Sequence, residues 1–187
     1  MKKTISLLLV LAMIMSLAAC GSKEASAEAT IEPTAEPFDL EEYKNLSAVY
    51  AAEIFDAATA LSNIVNFEYK YIKSYKNISG ASAEPDMEKV VETGIMGLEE
   101  YSDYTEETVR SKHDEILKKY NDTVLPDADN TEANEIATII QEMHESYVGF
   151  YNLAFSPHLD LKSLADSHNE FTNTIATCKA KLDKILS

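Results

Sequence analysis

The sequence predicts an all-α protein, an up-down antiparallel bundle of about four long helices spanning residues 38–187. Three observations carry that reading. Apolar residues recur every three or four positions over long stretches, which is the period of one helix face. The five prolines, Pro33, Pro37, Pro85, Pro126 and Pro157, all fall between those stretches, as residues without an amide hydrogen should. Acids gather where each stretch begins and lysines where it ends (Glu41 and Glu42 against Lys70, Lys73 and Lys76 in the first), the arrangement that the helix dipole favours.

The first stretch carries Tyr43, Leu46, Tyr50, Ile54, Ala57, Leu61, then Ile64 or Val65, and later Ile72 and Tyr75. It closes at Ser79-Gly80, where glycine accepts a backbone conformation costly to other residues. Unbroken from Leu40 to Asn77 it would be about 57 Å long, against about 36 Å for Thr131 to Ala154. It is therefore expected either to bend or to carry its aromatic end beyond the bundle. Within it "NFEYKYIKSYK" alternates Phe67, Tyr69 and Tyr71 in the manner of a strand. A lone strand would have no partner here, so helix is predicted.

The second stretch is the weakest. Its seam of Met87, Val91, Leu98, Tyr101, Val109, Ile116 and Tyr120 is interrupted by Gly94, Gly97 and the polar "SDYTEET", and a break near Ser102–Thr105 is expected. The third runs Ile136, Ile140, Met143, Tyr147, Phe150, Ala154 behind a capping box at Asp129-x-x-Glu132. The fourth is cleanest: Leu161, Leu164, His168, Phe171, Ile175, Cys178, Leu182 and Ile185 step by three and four, with Asp160 as N-cap. Four such seams fit helices packed at small crossing angles.

Ahead of the bundle, residues 1–19 have the order of a secretory signal: Lys2 and Lys3, an apolar core from Ile5 to Met15, then Ala18 and Ala19. Leu17-Ala18-Ala19-Cys20 resembles the lipobox of bacterial lipoproteins, whose cysteine takes a diacylglyceryl thioether and becomes the first residue after cleavage. The resemblance implies lipidation of Cys20 and a place on the extracytoplasmic face of the cell membrane. Each buried methylene contributes about 0.8 kcal/mol, so two or three acyl chains anchor stably. Residues 21–37 hold Ala, Glu, Ser, Thr and two prolines; as a flexible linker they reach roughly 20–25 Å.

Loss of residues 1–19 removes two lysines and no acid, taking the net charge from −16 to −18. That balance argues against nucleic acid and against the folded domain lying on an anionic bilayer. With 45% apolar residues the chain is globular and not a disordered acidic tail. Of the two cysteines lipidation consumes one, so the core and not an internal disulfide must supply stability.

Chemistry-bearing motifs are sparse. None of the four histidines stands in a Glu-x-x-His pair, so a bundle-core di-metal site is not expected. His168 lies on a seam and reads as packed in the core; His144, between Glu142 and Glu145, reads as solvated. Asp127-x-Asp129-x-Thr131 lacks the sixth-place Gly and twelfth-place Glu of a calcium loop. Cys178 sits between Ile175 and Leu182 and reads as a small buried hydrophobe. No cofactor motif occurs, and an enzyme is not expected. The residues that packing needs least are Tyr69, Lys70, Tyr71 and Lys73, aromatic area beside positive charge in an acidic chain. They are the expected contact for an envelope protein partner. The favoured reading is a tethered, non-enzymatic interaction or scaffolding module; the alternative is an accessory protein taking a sugar or metal between helices, near His144 or the Tyr69–Tyr75 aromatics.

The last third, "YVGFYNLAFSPHLDLKSLADSHNEFTNTI", resembles uncharacterised small exported helical proteins of Gram-positive gut bacteria. Tyr147, Tyr151, Leu153, Ala154, Pro157, Asp160, Leu161 and Phe171 occupy matching places, while Leu159 stands where glycine is frequent. The resemblance implies the helical fold and supplies no mechanism.

Overall fold

The structure is a computed structural model that describes residues 38–123 and 129–187. Cys20, the signal and the linker lie outside the described residues. Among those described are five helices and no strand: α1 (Leu40–Ser79), α2 (Met87–Tyr101), α3 (Glu106–Thr123), α4 (Thr131–Phe155) and α5 (Leu161–Ile185). None of them is long and apolar enough to cross a membrane.

Helix α1 is one unbroken helix of 40 residues, about 60 Å long. Asp39 opens it, its carboxylate accepting from the amides of Glu41 (2.9 Å) and Glu42 (3.1 Å). Gly80 closes it at φ 103°, donating to the Lys76 carbonyl (3.0 Å). All four other helices pack on α1. This explains the alternating aromatics: Phe67 faces α2, stacking on Tyr101 at 5.5 Å, while Tyr69 faces α5 beside Leu164 and His168. A helix flanked on several sides can place neighbours i and i+2 against different partners, and the strand-like pattern is its trace.

Contacts along α1 set the directions. Tyr104, Ile116 and Lys119 meet Asp56, Tyr50 and Glu53, so α2 and α3 together run antiparallel to α1 as one interrupted column. The interruption falls where expected. Ser102 ends α2, donating to the Leu98 carbonyl (2.7 Å) and accepting from the Tyr104 amide (3.2 Å). Thr105 and Thr108 then start α3 by exchanging side-chain bonds with each other's amides. Lys44 meets Glu132 at 2.8 Å and Tyr50 meets His144, so α4 runs parallel to α1. Helix α5 returns, pairing His168 with Ser62. The result is the expected up-down bundle of four columns.

Three details differ from the sequence reading. Leu46 is 49% exposed, and Ser47 takes its place in the core, one step further along the α1 seam. The cap of α4 is Asn130, which accepts from the Ala133 amide (3.0 Å), because its side chain and not that of Asp129 lies three residues before that amide. The buried face of α2 is Val90, Gly94, Gly97 and Leu98, while Met87 and Tyr101 lie exposed. The two glycines are the contact and not an interruption. A Cβ on Gly94 would stand 2.8 Å from Ile64 Cγ2, and one on Gly97 would overlap the Phe67 ring. Their absence lets the α2 backbone close onto α1.

The seams of α4 and α5 hold as read, with Ile136, Ile140, Met143, Tyr147, Phe150 and Ala154 buried opposite Leu164, Ile175, Cys178 and Leu182. Asp160 caps α5, accepting from the amide (2.8 Å) and hydroxyl (2.9 Å) of Ser163. Those bonds hold its carboxyl below the ordinary range.

Candidate functional site

The residues singled out from sequence lie on the second half of α1. Tyr69 and Tyr71 are half-buried and pack against the core; Lys70 and Lys73 are exposed. The Lys70 ammonium lies 4.9 Å from the centre of the Phe67 ring, a cation–π contact. Tyr71 stands 6.4 Å from Tyr75, one turn on. Each tyrosine therefore has one face committed to the fold and part of its ring outward.

Tyr69 also walls a recess of about 230 Å³ in the groove between α1 and α5, together with Val65, Asn66, Leu164, His168 and Asn169. A second recess, about 190 Å³, follows in the same groove over Phe150 and Ile175. The hydrogen bond between Ser62 Oγ and His168 Nε2, 2.9 Å long, joins the two. His168 is half-buried and burial holds its imidazole below the ordinary pKa. The groove thus offers neutral hydrogen-bonding groups on an apolar floor.

His144 is buried, 9% exposed, where the sequence suggested a solvated ring. Its Nδ1 shares a 2.6 Å hydrogen bond with the Tyr50 hydroxyl. The ring stacks on Tyr120 of α3 at 3.7 Å and 9°. Seven residues along each helix the arrangement recurs reversed: His113 of α3 stacks on Tyr151 of α4 at 3.5 Å and 3°. Arg110 adds a further rung, its guanidinium 4.1 Å from the centre of the Phe155 ring. Flat rings thus fill the space between α3 and α4. Burial lowers the pKa of both histidines, outweighing the opposing pull of Asp114 on His113 and of Glu145 on His144. Both are neutral at pH 7 and serve packing. The signal for this ladder was present as His113-x6-Tyr120 and His144-x6-Tyr151, two heptad-spaced pairs in the same order, which antiparallel helices bring together His against Tyr.

One buried acid escaped the sequence reading. Glu68 has no exposed surface and neither of its carboxyl oxygens has a hydrogen-bond partner. Burial pushes its pKa up to about 9, so it is a neutral acid at pH 7. Its side chain packs where Gly94 lacks a Cβ. The spacing Val65, Glu68, Ile72 placed it on the α1 seam. Cys178 is buried as expected, and its thiol is pushed up to about 11, chiefly by burial. Among the described residues no three His, Cys, Asp or Glu side chains converge to hold a metal ion. Compared with protein-family models, with curated proteins and with solved structures, the chain matches none.

Proposed function

We propose that the chain is a lipid-anchored, extracytoplasmic interaction module without catalytic activity, held to the cell membrane through Cys20 and contacting an envelope protein through Tyr69, Lys70, Tyr71 and Lys73. The observation that carries the reading is the pairing of half-buried tyrosine rings with two exposed lysines on one stretch of a helix, in a chain of net charge −16. Rings already fixed by packing lose little entropy on contact, and aromatic and cationic groups are the usual anchors of interfaces. The linker's reach of roughly 20–25 Å lets the bundle meet such a partner while tethered.

A second reading, a small-ligand accessory protein, draws on the recess walled by Tyr69, Asn66, His168 and Asn169. At about 230 Å³ it is smaller than the roughly 300–1,000 Å³ of most small-molecule sites. That size suits one side chain of a docked protein better than a free sugar. Cross-linking on intact cells followed by mass spectrometry tests the proposal. Protein neighbours are expected, with capture weakened by Tyr71→Ala while the helical signal stays nearly unchanged and the melting temperature falls only by the few degrees that a half-buried ring costs. Undiminished capture, or unfolding of Tyr71→Ala, would remove these residues from the interface.

A further inference from the structure

Helix α2 has two apolar sides. Val90, Gly94, Gly97 and Leu98 are spent on α1. Met87, Val91, Ile95 and Met96 instead line an open trough of about 690 Å³, with Phe155 at the end of α4 forming part of its wall. Met96 is 62% exposed and Met87 39%. Phe155 is held in place, its ring 4.7 Å from that of Tyr151 and capped by the Arg110 guanidinium.

The charged residues that line the trough are all acidic. Glu88, Glu92 and Glu106 rim it. Glu106 also borders an adjoining hollow of about 710 Å³ walled by Glu99, Glu107 and Asp114. Arg110, the one cation among the described residues lining either depression, is engaged by Glu106 at 2.7 Å.

We infer that this trough docks a cationic amphipathic helix of another protein, with apolar anchors on α2 and lysines or arginines over the acidic rim and hollow. Charge complementarity selects that occupant. The chain's own residues 21–37 carry four glutamates against one lysine, the wrong sign for this rim. A second copy would bring a second net charge of −16 against the first. The span from Met87 to Met96 is about 14 Å, two and a half turns, which accommodates the roughly 10.5 Å between anchors at i and i+7 of a helix laid in a groove. Methionine side chains adapt to the shapes they meet, as binding surfaces of this type require.

The inference rests on the reading of the chain as an interaction module and adds a face of opposite character to the tyrosine–lysine surface. An 18-residue peptide of leucine and lysine at helical spacing, labelled with fluorescein, is titrated with the intact chain and followed by anisotropy. Saturable binding is expected, weakened at least tenfold by Met96→Lys and by Glu92→Lys. Both positions are exposed, so both variants should keep the wild-type helical signal; should Met96→Lys lose it, Glu92→Lys alone decides. A matched leucine–glutamate peptide should not bind. Equal affinity for wild type and variants overturns the inference. So does a wild-type dimer that Met96→Lys dissociates, which would make the occupant a second copy. Neighbours captured on cells, with a peptide indifferent to Met96→Lys, would overturn the trough and leave the module standing. A responsive peptide with no protein neighbour on cells would support the trough and overturn the module.

Discussion

Replacing Glu68 with glutamine should flatten the pH dependence of stability. In the folded state the Glu68 carboxyl has a pKa of about 9 because it is buried; the ordinary value is 4.5. The unfolded chain releases this proton near pH 4.5, whereas the folded chain keeps it to about pH 9. Folding must therefore take up a proton throughout that window, and stability falls as pH rises through it. Below pH 4.5 both states are protonated and the penalty vanishes. Each pH unit inside the window costs about 1.4 kcal/mol, so wild type loses about 2–3 kcal/mol between pH 5 and pH 7 from this group alone. That is a large share of the 5–15 kcal/mol typical of a domain. Buried His144 and the half-buried His113 and His168 act in the opposite sense, since their lowered pKa values destabilise the fold as pH falls toward acid. Comparing variant with wild type at each pH cancels them. Urea unfolding followed by circular dichroism at pH 5, 6, 7 and 8 reads the difference. Glu68→Gln should gain on wild type by about 2–3 kcal/mol from pH 5 to pH 7, whatever constant cost the buried amide adds. Parallel profiles for the two proteins would refute the argument and mean that the Glu68 carboxyl is solvated or paired.

Gly97→Ala should destabilise by about 1–3 kcal/mol, because its Cβ overlaps the Phe67 ring and the bundle must shift to admit it. A higher urea midpoint would instead show that the roughly 1 kcal/mol gain in helix propensity wins and that the ring moves freely. Tyr120→Ala removes the ring stacked on His144; about 2 kcal/mol should be lost, and the His144 titration followed by NMR should move up toward the ordinary histidine value as water reaches the ring. An unmoved titration would mean that the stack does not shield it. Leu46→Glu should change stability by no more than about 0.5 kcal/mol, since that side chain lies outside the core; a large loss would restore Leu46 to the seam. Cys20→Ala should abolish labelling by an alkyne fatty acid, and equal labelling of both proteins would remove the anchor.

Helix positions and ends were legible in the sequence because what makes them acts over a few residues. A cap such as Asp160 bonds an amide three positions away, a proline lacks its own amide hydrogen, and charge meets the dipole within one turn. The seams of α4 and α5 were legible for the same reason, since a period of three and four names one face of one helix. Periodicity says nothing about how many faces a helix must bury or how near its neighbour lies, and there the tertiary structure decided. With helices on several sides, α1 carries Phe67, Tyr69 and Glu68 inward in different directions. The α2 face that packs is the one where Gly94 and Gly97, lacking Cβ atoms, let the backbone close onto α1, while the larger Met87 and Tyr101 stay exposed. His144 went inward because Tyr50 and Tyr120, 94 and 24 positions distant in the chain, supplied its hydrogen bond and its stacking surface. Burial of a polar side chain depends on partners that meet only when the chain has folded, and no local spacing encodes that meeting.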